Sequence, residues 1–137
     1  MRPDPKRIAD TRAWLAKASF DLRAGEFERG ADPPLSADMV FHAHQTTEKA
    51  LKAFLTWHDS PFRKTHNLVE LGNQCVALDA VLEPLLRRAA RLTEYAWKFR
   101  YPGEPDQPTR QEADEALTLA REVYEATLAR LPAEVQP

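Results

Sequence analysis

VFHAHQTTEKALKAFLTWH, residues Val40 to His58, decides the fold. At about 100° per residue, Val40, Ala43, Thr47, Ala50, Leu51, Phe54 and Leu55 fall within one apolar stripe of a helix. Gln45, Lys49, Lys52 and Thr56 gather on the opposite side, with Glu48 at the edge. A helix that only fills a core has no need of that polar row, so it is the first place to look for a site.

Outward from this stretch the chain reads as helix throughout. Toward the N-terminus, Asp4 to about Arg29 forms a first helix. Ile8, Thr11, Leu15, Ala18 and Leu22 share one stripe, and Pro5 suits the first turn because its missing donor would be unpaired there. Gly30 stops it. Ser36 is a good N-cap for the central helix, which ends before Asp59-Ser60-Pro61.

Beyond the basic loop SPFRKT, a shorter third helix is expected from Thr65 to about Ala77, with His66 near its start as a surface cap residue. Asp79 is the expected cap of a long fourth helix. Its stripe is Leu82, Leu85, Leu86, Ala89, Leu92 and Ala96, and it ends at Arg100-Tyr101-Pro102-Gly103. The last helix has the clearest start, a capping box of Thr109 with Glu112, and its apolar face runs from Ala113 to Leu131. Nothing alternates with period two for long enough to make a strand. The expected class is therefore all-α, an antiparallel up-and-down bundle of four long helices and one short helix. At 137 residues it reads as one domain, with a core from about residue 5 to residue 131.

Bulk properties exclude several function classes. A formal net charge of −2 argues against nucleic-acid binding driven by overall charge, although a local basic patch stays open. The single cysteine, Cys75, cannot form an internal disulfide, which fits a reducing compartment, and it reads as a small core hydrophobe. No window approaches the ~20 apolar residues that span a bilayer. The N-terminal stretch lacks the apolar segment of a signal peptide, so a cytoplasmic location is expected.

Chemical motifs are mostly missing. No glutamate has a histidine three residues later, His-Glu-x-x-His is absent, and His44 with Glu48 has no third ligand, so no metal is expected and His44 reads as a hydrogen-bonded core residue. There is no Gly-x-Ser-x-Gly, and four glycines write no phosphate-cradling loop, so no cofactor is expected either. What remains is the polar row and the helix ends. Gln45, Lys49 and Lys52 suit a phosphate or an acidic partner. The plainer alternative is a solvated helix face with a Glu48–Lys52 pair contributing a few tenths of a kcal/mol. Arg100 and Tyr101 could equally complement the dipole at a helix end.

Three segments taken together sharpen this. HQTTEKALKAFL (44–55), KTHNLVEL (64–71) and FRYP (99–102) occur in the order and spacing of the HEPN family, and WLAKASFDLRAGE (14–26) is similar to that family's opening helix. The resemblance covers about residues 13 to 129. It implies a helical bundle that homodimerises, with members that pair with minimal nucleotidyltransferases, serve in toxin–antitoxin systems, or bind nucleotides or RNA. It places the matching polar positions at Gln45, Glu48, Lys49, Lys52, His66, Arg100 and Tyr101. Of these, Gln45, Lys49, Lys52, His66, Arg100 and Tyr101 are the expected ligand-binding residues. Several members are metal-independent ribonucleases that use an arginine followed, after four to six residues, by a histidine. That spacing is absent here: none of His42, His44, His58 and His66 has an arginine five to seven positions before it. A ribonuclease reading would therefore need a non-standard pair, His66 with Arg100.

Overall fold

A computed structural model of the protein describes residues 4–96, 98, 99, 102 and 107–137. Among these residues five α-helices carry the fold: α1 (Pro5–Arg29), α2 (Ser36–Trp57), α3 (Leu68–Leu78), α4 (Glu83–Ala89) and α5 (Arg110–Ala129). No strand occurs among the described residues, so the all-α expectation holds.

The central helix is more deeply enclosed than its pattern implied. α2 packs against α1, α3 and α5 and against the 3-10 segment Ala90–Ala96. All seven positions of its apolar stripe are buried, and so are Thr46, Glu48 and Lys52 from outside that stripe. Leu15, Ala18 and Leu22 of α1 and Ala113, Ala116, Leu117, Ala120 and Val123 of α5 close the core around it. α1 and α5 approach closely at Gly25, where an added Cβ would lie 2.5 Å from Leu117 Cδ2. α2 ends with Asp59 in the left-handed region at φ 53°, a conformation that a short polar side chain tolerates, and the Ser60 N–H returns to the Leu55 carbonyl at 2.9 Å.

Helix ends follow local chemistry. The Asp4 carboxylate caps α1 by accepting from the Lys6 N–H. Thr109 and Glu112 form the expected capping box at α5. Three expectations need correction. Ser36 is already the first residue of α2 and makes no side-chain cap. α3 starts at Leu68 rather than Thr65. The Thr65 hydroxyl accepts from the Asn67 N–H and turns the chain, and Asn67 Oδ1 then caps by accepting from the Val69 and Glu70 N–H groups. His66 therefore precedes the cap. The long fourth helix is a short one. Asp79 caps a 3-10 turn (Ala80–Leu82), and Pro84 sits in the first turn of α4, where its ring and missing donor prevent continuity with the turn before it. After Ala89 the winding tightens to 3-10 through Ala96, which keeps Leu92 in the core and sets the Thr93 hydroxyl to accept from the Leu68 N–H at 3.1 Å. The expected end at Arg100 and Tyr101 lies outside the described residues. Among the described residues the bundle thus has three long α-helices and two short ones.

Among the described residues no helix is long and apolar enough to cross a membrane. Cys75 is fully buried, and burial pushes its thiol up to about 12, so it packs as a hydrophobe.

Candidate functional site

One turn of helix separates His44 from Glu48, and another separates Glu48 from Lys52, so the three stack along one side of α2. All three are buried. The segment before α3 crosses this ladder and is held at two points. The His44 ring donates from Nε2 to the His66 carbonyl oxygen at 2.9 Å, and the Gln45 amide lies 3.4 Å from the opposite nitrogen, Nδ1. The Glu48 carboxylate then divides its oxygens. Oε1 accepts from His66 Nδ1 at 2.7 Å, and Oε2 accepts from the Lys52 ammonium at 3.0 Å.

The consequences for each group follow from burial. The side chains of Lys52 and Glu48 are only 6% and 4% exposed, whereas that of His66 is 73% exposed. The Lys52 ammonium lies 5.3 Å from the Trp14 ring centre and 5.8 Å from that of Phe62, so two aromatic faces and one carboxylate replace its water. The Glu48–Lys52 pair anticipated on a solvated face is real, but the face is not solvated. Two charges have been taken into the core, and what they hold in place is an exposed imidazole. In the neutral tautomer that donates from Nδ1 to Glu48, the Nε2 of His66 carries the lone pair.

Burial also lowers the pKa of His44 below the ordinary histidine value, so its ring stays neutral and remains a one-proton donor to His66. The linkage sign follows. A histidine whose folded value is depressed supports the fold fully above its unfolded value of about 6.5, and that support is lost as pH falls through 6.5 toward the folded value. Denaturant melts at pH 7.5 and pH 5.5 should therefore show a loss of stability on acidification. The loss should be smaller in His44→Gln, whose amide nitrogen can still donate to the carbonyl but does not titrate. His58, also lowered by burial, moves stability the same way, and Glu28, raised by burial beside His42, moves it oppositely. Only the difference between the two proteins isolates His44. Equal slopes would show that His44 titrates normally.

The six expected ligand-binding residues separate under this geometry. His66 is exposed. Gln45 is half-buried and lies against His44. Lys49 is paired with Asp21 of α1 and partly buried. Lys52 is enclosed. Arg100 and Tyr101 lie outside the described residues. The structure thus brings His66, Lys52 and, through His44, Gln45 into one cluster, while Lys49 lies with Asp21. Sequence reasoning paired Glu48 with Lys52 but did not see it as the hub that also holds His66. Glu48 was placed at the edge of the polar row, Trp14 was not singled out, and the third helix was expected to start ahead of His66. The i, i+4, i+8 spacing of His44, Glu48 and Lys52 was the available signal for a buried polar ladder. Nearby, Arg63 pairs with Glu70 at 2.6 Å, and Lys64 is exposed. Among the described residues no group of three or more His, Cys, Asp or Glu side chains is placed to hold a metal ion.

A family model described as HEPN domain matches residues 11–131, nearly the whole chain. No curated protein and no solved structure matches it.

Proposed function

The chain belongs to the HEPN family, and on that premise we propose that it is a homodimeric binding module for a nucleotide or RNA that pairs with a minimal nucleotidyltransferase, as in toxin–antitoxin systems. One observation carries the placement of its site: a buried carboxylate shared between an enclosed lysine and an exposed histidine. A buried ion pair stabilises a fold no better than apolar residues of the same volume, so stability alone gives no reason for one here. Fixing His66 gives such a reason. The ring meets a phosphate oxygen or a base edge, and exposed Lys64 precedes it by two residues in the chain. Gln45 and Lys52 act from beneath, through His44 and Glu48, while Lys49 is held in its pair with Asp21. Arg100 supplies a second cation and Tyr101 a stacking face.

Titration of a labelled RNA oligomer and of ATP, at low and at physiological salt, tests this. Binding should fall with salt, and His66→Ala should weaken it about tenfold, the equivalent of one hydrogen bond to a charged group. Arg100→Ala should weaken it in the same direction. His66→Ala also leaves Glu48 Oε1 buried without its donor, so circular dichroism must show the variant folded before its binding is read. If both variants bind as tightly as wild type, the site lies elsewhere.

A second reading has its own support in the His66 geometry. An imidazole anchored through Nδ1 by a carboxylate, with Nε2 free, is in the state of a general base able to take a 2′-hydroxyl proton, with Arg100 as the cation that stabilises the phosphate. This would make the protein a metal-independent ribonuclease without the usual Arg-to-His spacing. On that reading purified protein cleaves RNA with chelator present, and His66→Ala does not. No cleavage by wild type eliminates it and leaves the binding module.

A further inference from the structure

α1 carries two apolar stripes, and the bundle uses only one. Thr11, Leu15, Ala18, Leu22 and Gly25 face the core and are buried. On the opposite side of the helix, Ala13, Ala16, Phe20, Ala24 and Phe27 fall within about 80° of arc, because successive residues turn by about 100°. Phe20 is 69% exposed and Phe27 81% exposed. A groove of about 280 Å³ lies along this face between the two rings, with Ala24, Arg23 and Glu28 also lining it. Two bare phenylalanines on one helix face are not ordinary surface.

The spacing says what covers them. From residue 13 to residue 27 the steps are three, four, four and three, which read the same in either direction about Phe20. An antiparallel copy of α1 placed on a two-fold axis through Phe20 would set Phe20 against Phe20, Ala16 against Ala24 and the large Phe27 against the small Ala13. Each ring then meets its own kind on the axis or an alanine that leaves room for it. From the exposures above, the four phenylalanines of such a pair bury on the order of 600 Å². That is about half the ~1,200 Å² lower bound for a stable interface, before the alanines and the aliphatic stems of the flanking Lys17 and Arg23 are added.

We infer that the outer face of α1 is the interface between two copies of this chain, with Phe20 on the two-fold axis. This rests on the homodimer reading above and gives it a surface, on the face of α1 opposite the core. The seam is apolar and its flanks carry both signs of charge, Arg23 and Glu28 among them, so the dimer should persist at high salt, where RNA binding falls.

Sedimentation of wild type and Phe20→Arg, together with crosslinking of Phe20→Cys by a short bis-maleimide, tests both levels. Cys75 is buried, so the added thiol is the reactive one. The control is Val81→Cys, at a site 75% exposed on a different element. The expected result is a wild-type dimer, a monomeric Phe20→Arg with unchanged circular dichroism, and crosslinked dimer from Phe20→Cys but not from Val81→Cys. A dimer that survives Phe20→Arg and is not trapped through residue 20 overturns this interface while leaving the homodimer. A monomeric wild type overturns both. A monomer whose Phe20→Arg variant loses only a heterologous partner assigns the face to that partner and equally overturns the proposal.

Discussion

Lys52→Ala is expected to destabilise the protein by about 3–5 kcal/mol, because it leaves the Glu48 carboxylate buried without its cation. The side chains are 6% and 4% exposed, so water cannot compensate as it would for a surface pair. In a domain of this size such a loss lowers the melting temperature on the order of 10 °C or more. The double variant Glu48→Leu with Lys52→Met removes both charges at similar volume and should recover most of the loss. It also takes away the acceptor that orients His66, so ligand binding should stay impaired while stability returns. Calorimetry and RNA titration on the same three proteins separate the two roles. A double variant that is stable and binds normally would reduce the ladder to packing.

Leu117→Ala is expected to lose about 2–5 kcal/mol by cavity formation. The value should fall high in that range, because the opposing position is Gly25, which has no side chain to move into the space. Gly25→Ala added to Leu117→Ala should return part of the loss, since its methyl occupies the volume that Leu117 Cδ2 vacates and alanine favours helix by about 1 kcal/mol over glycine. In the wild-type background the same Gly25→Ala meets Cδ2 at 2.5 Å, so the leucine must shift and the helix gain is offset. The double-mutant cycle should give a favourable coupling of about 0.5–3 kcal/mol. Strict additivity would mean that α1 and α5 do not touch there.

These two tests mark what the sequence made legible. Periodicity placed α1, α2 and α5 within a residue or two of their ends, because long amphipathic helices with proline, glycine and capping signals leave little choice. The stripe of α2 and the capping box at Thr109 stand as read. Periodicity did not reveal that the polar side of α2 is also enclosed, because that depends on where Trp14 and Phe62 arrive from distant parts of the chain. For the same reason Lys52 and Glu48 read as surface residues. The start of α3 was misplaced because Thr65 and Asn67 are both competent to turn the chain, and only the hydrogen bonds they make decide which one caps. The fourth helix was overextended because an apolar 3.6-residue stripe and a 3-10 stretch place Leu86, Ala89 and Leu92 on nearly the same face. His66 was chosen by resemblance, and its partner on α2 emerged only with the fold.

The enclosure of α2 also bears on how the chain is made. Its two largest neighbours come from opposite ends of the sequence: α1 precedes it, while α5 ends at Ala129. During synthesis the α1–α2 hairpin can close early, but the wall of α2 that packs on α5 stays bare until some fifty further residues, counted from the end of α2 to the start of α5, have left the ribosome. Until then the nascent chain is a sticky intermediate. Chains released before α5 should be found bound to chaperones or degraded rather than accumulating as a smaller folded product.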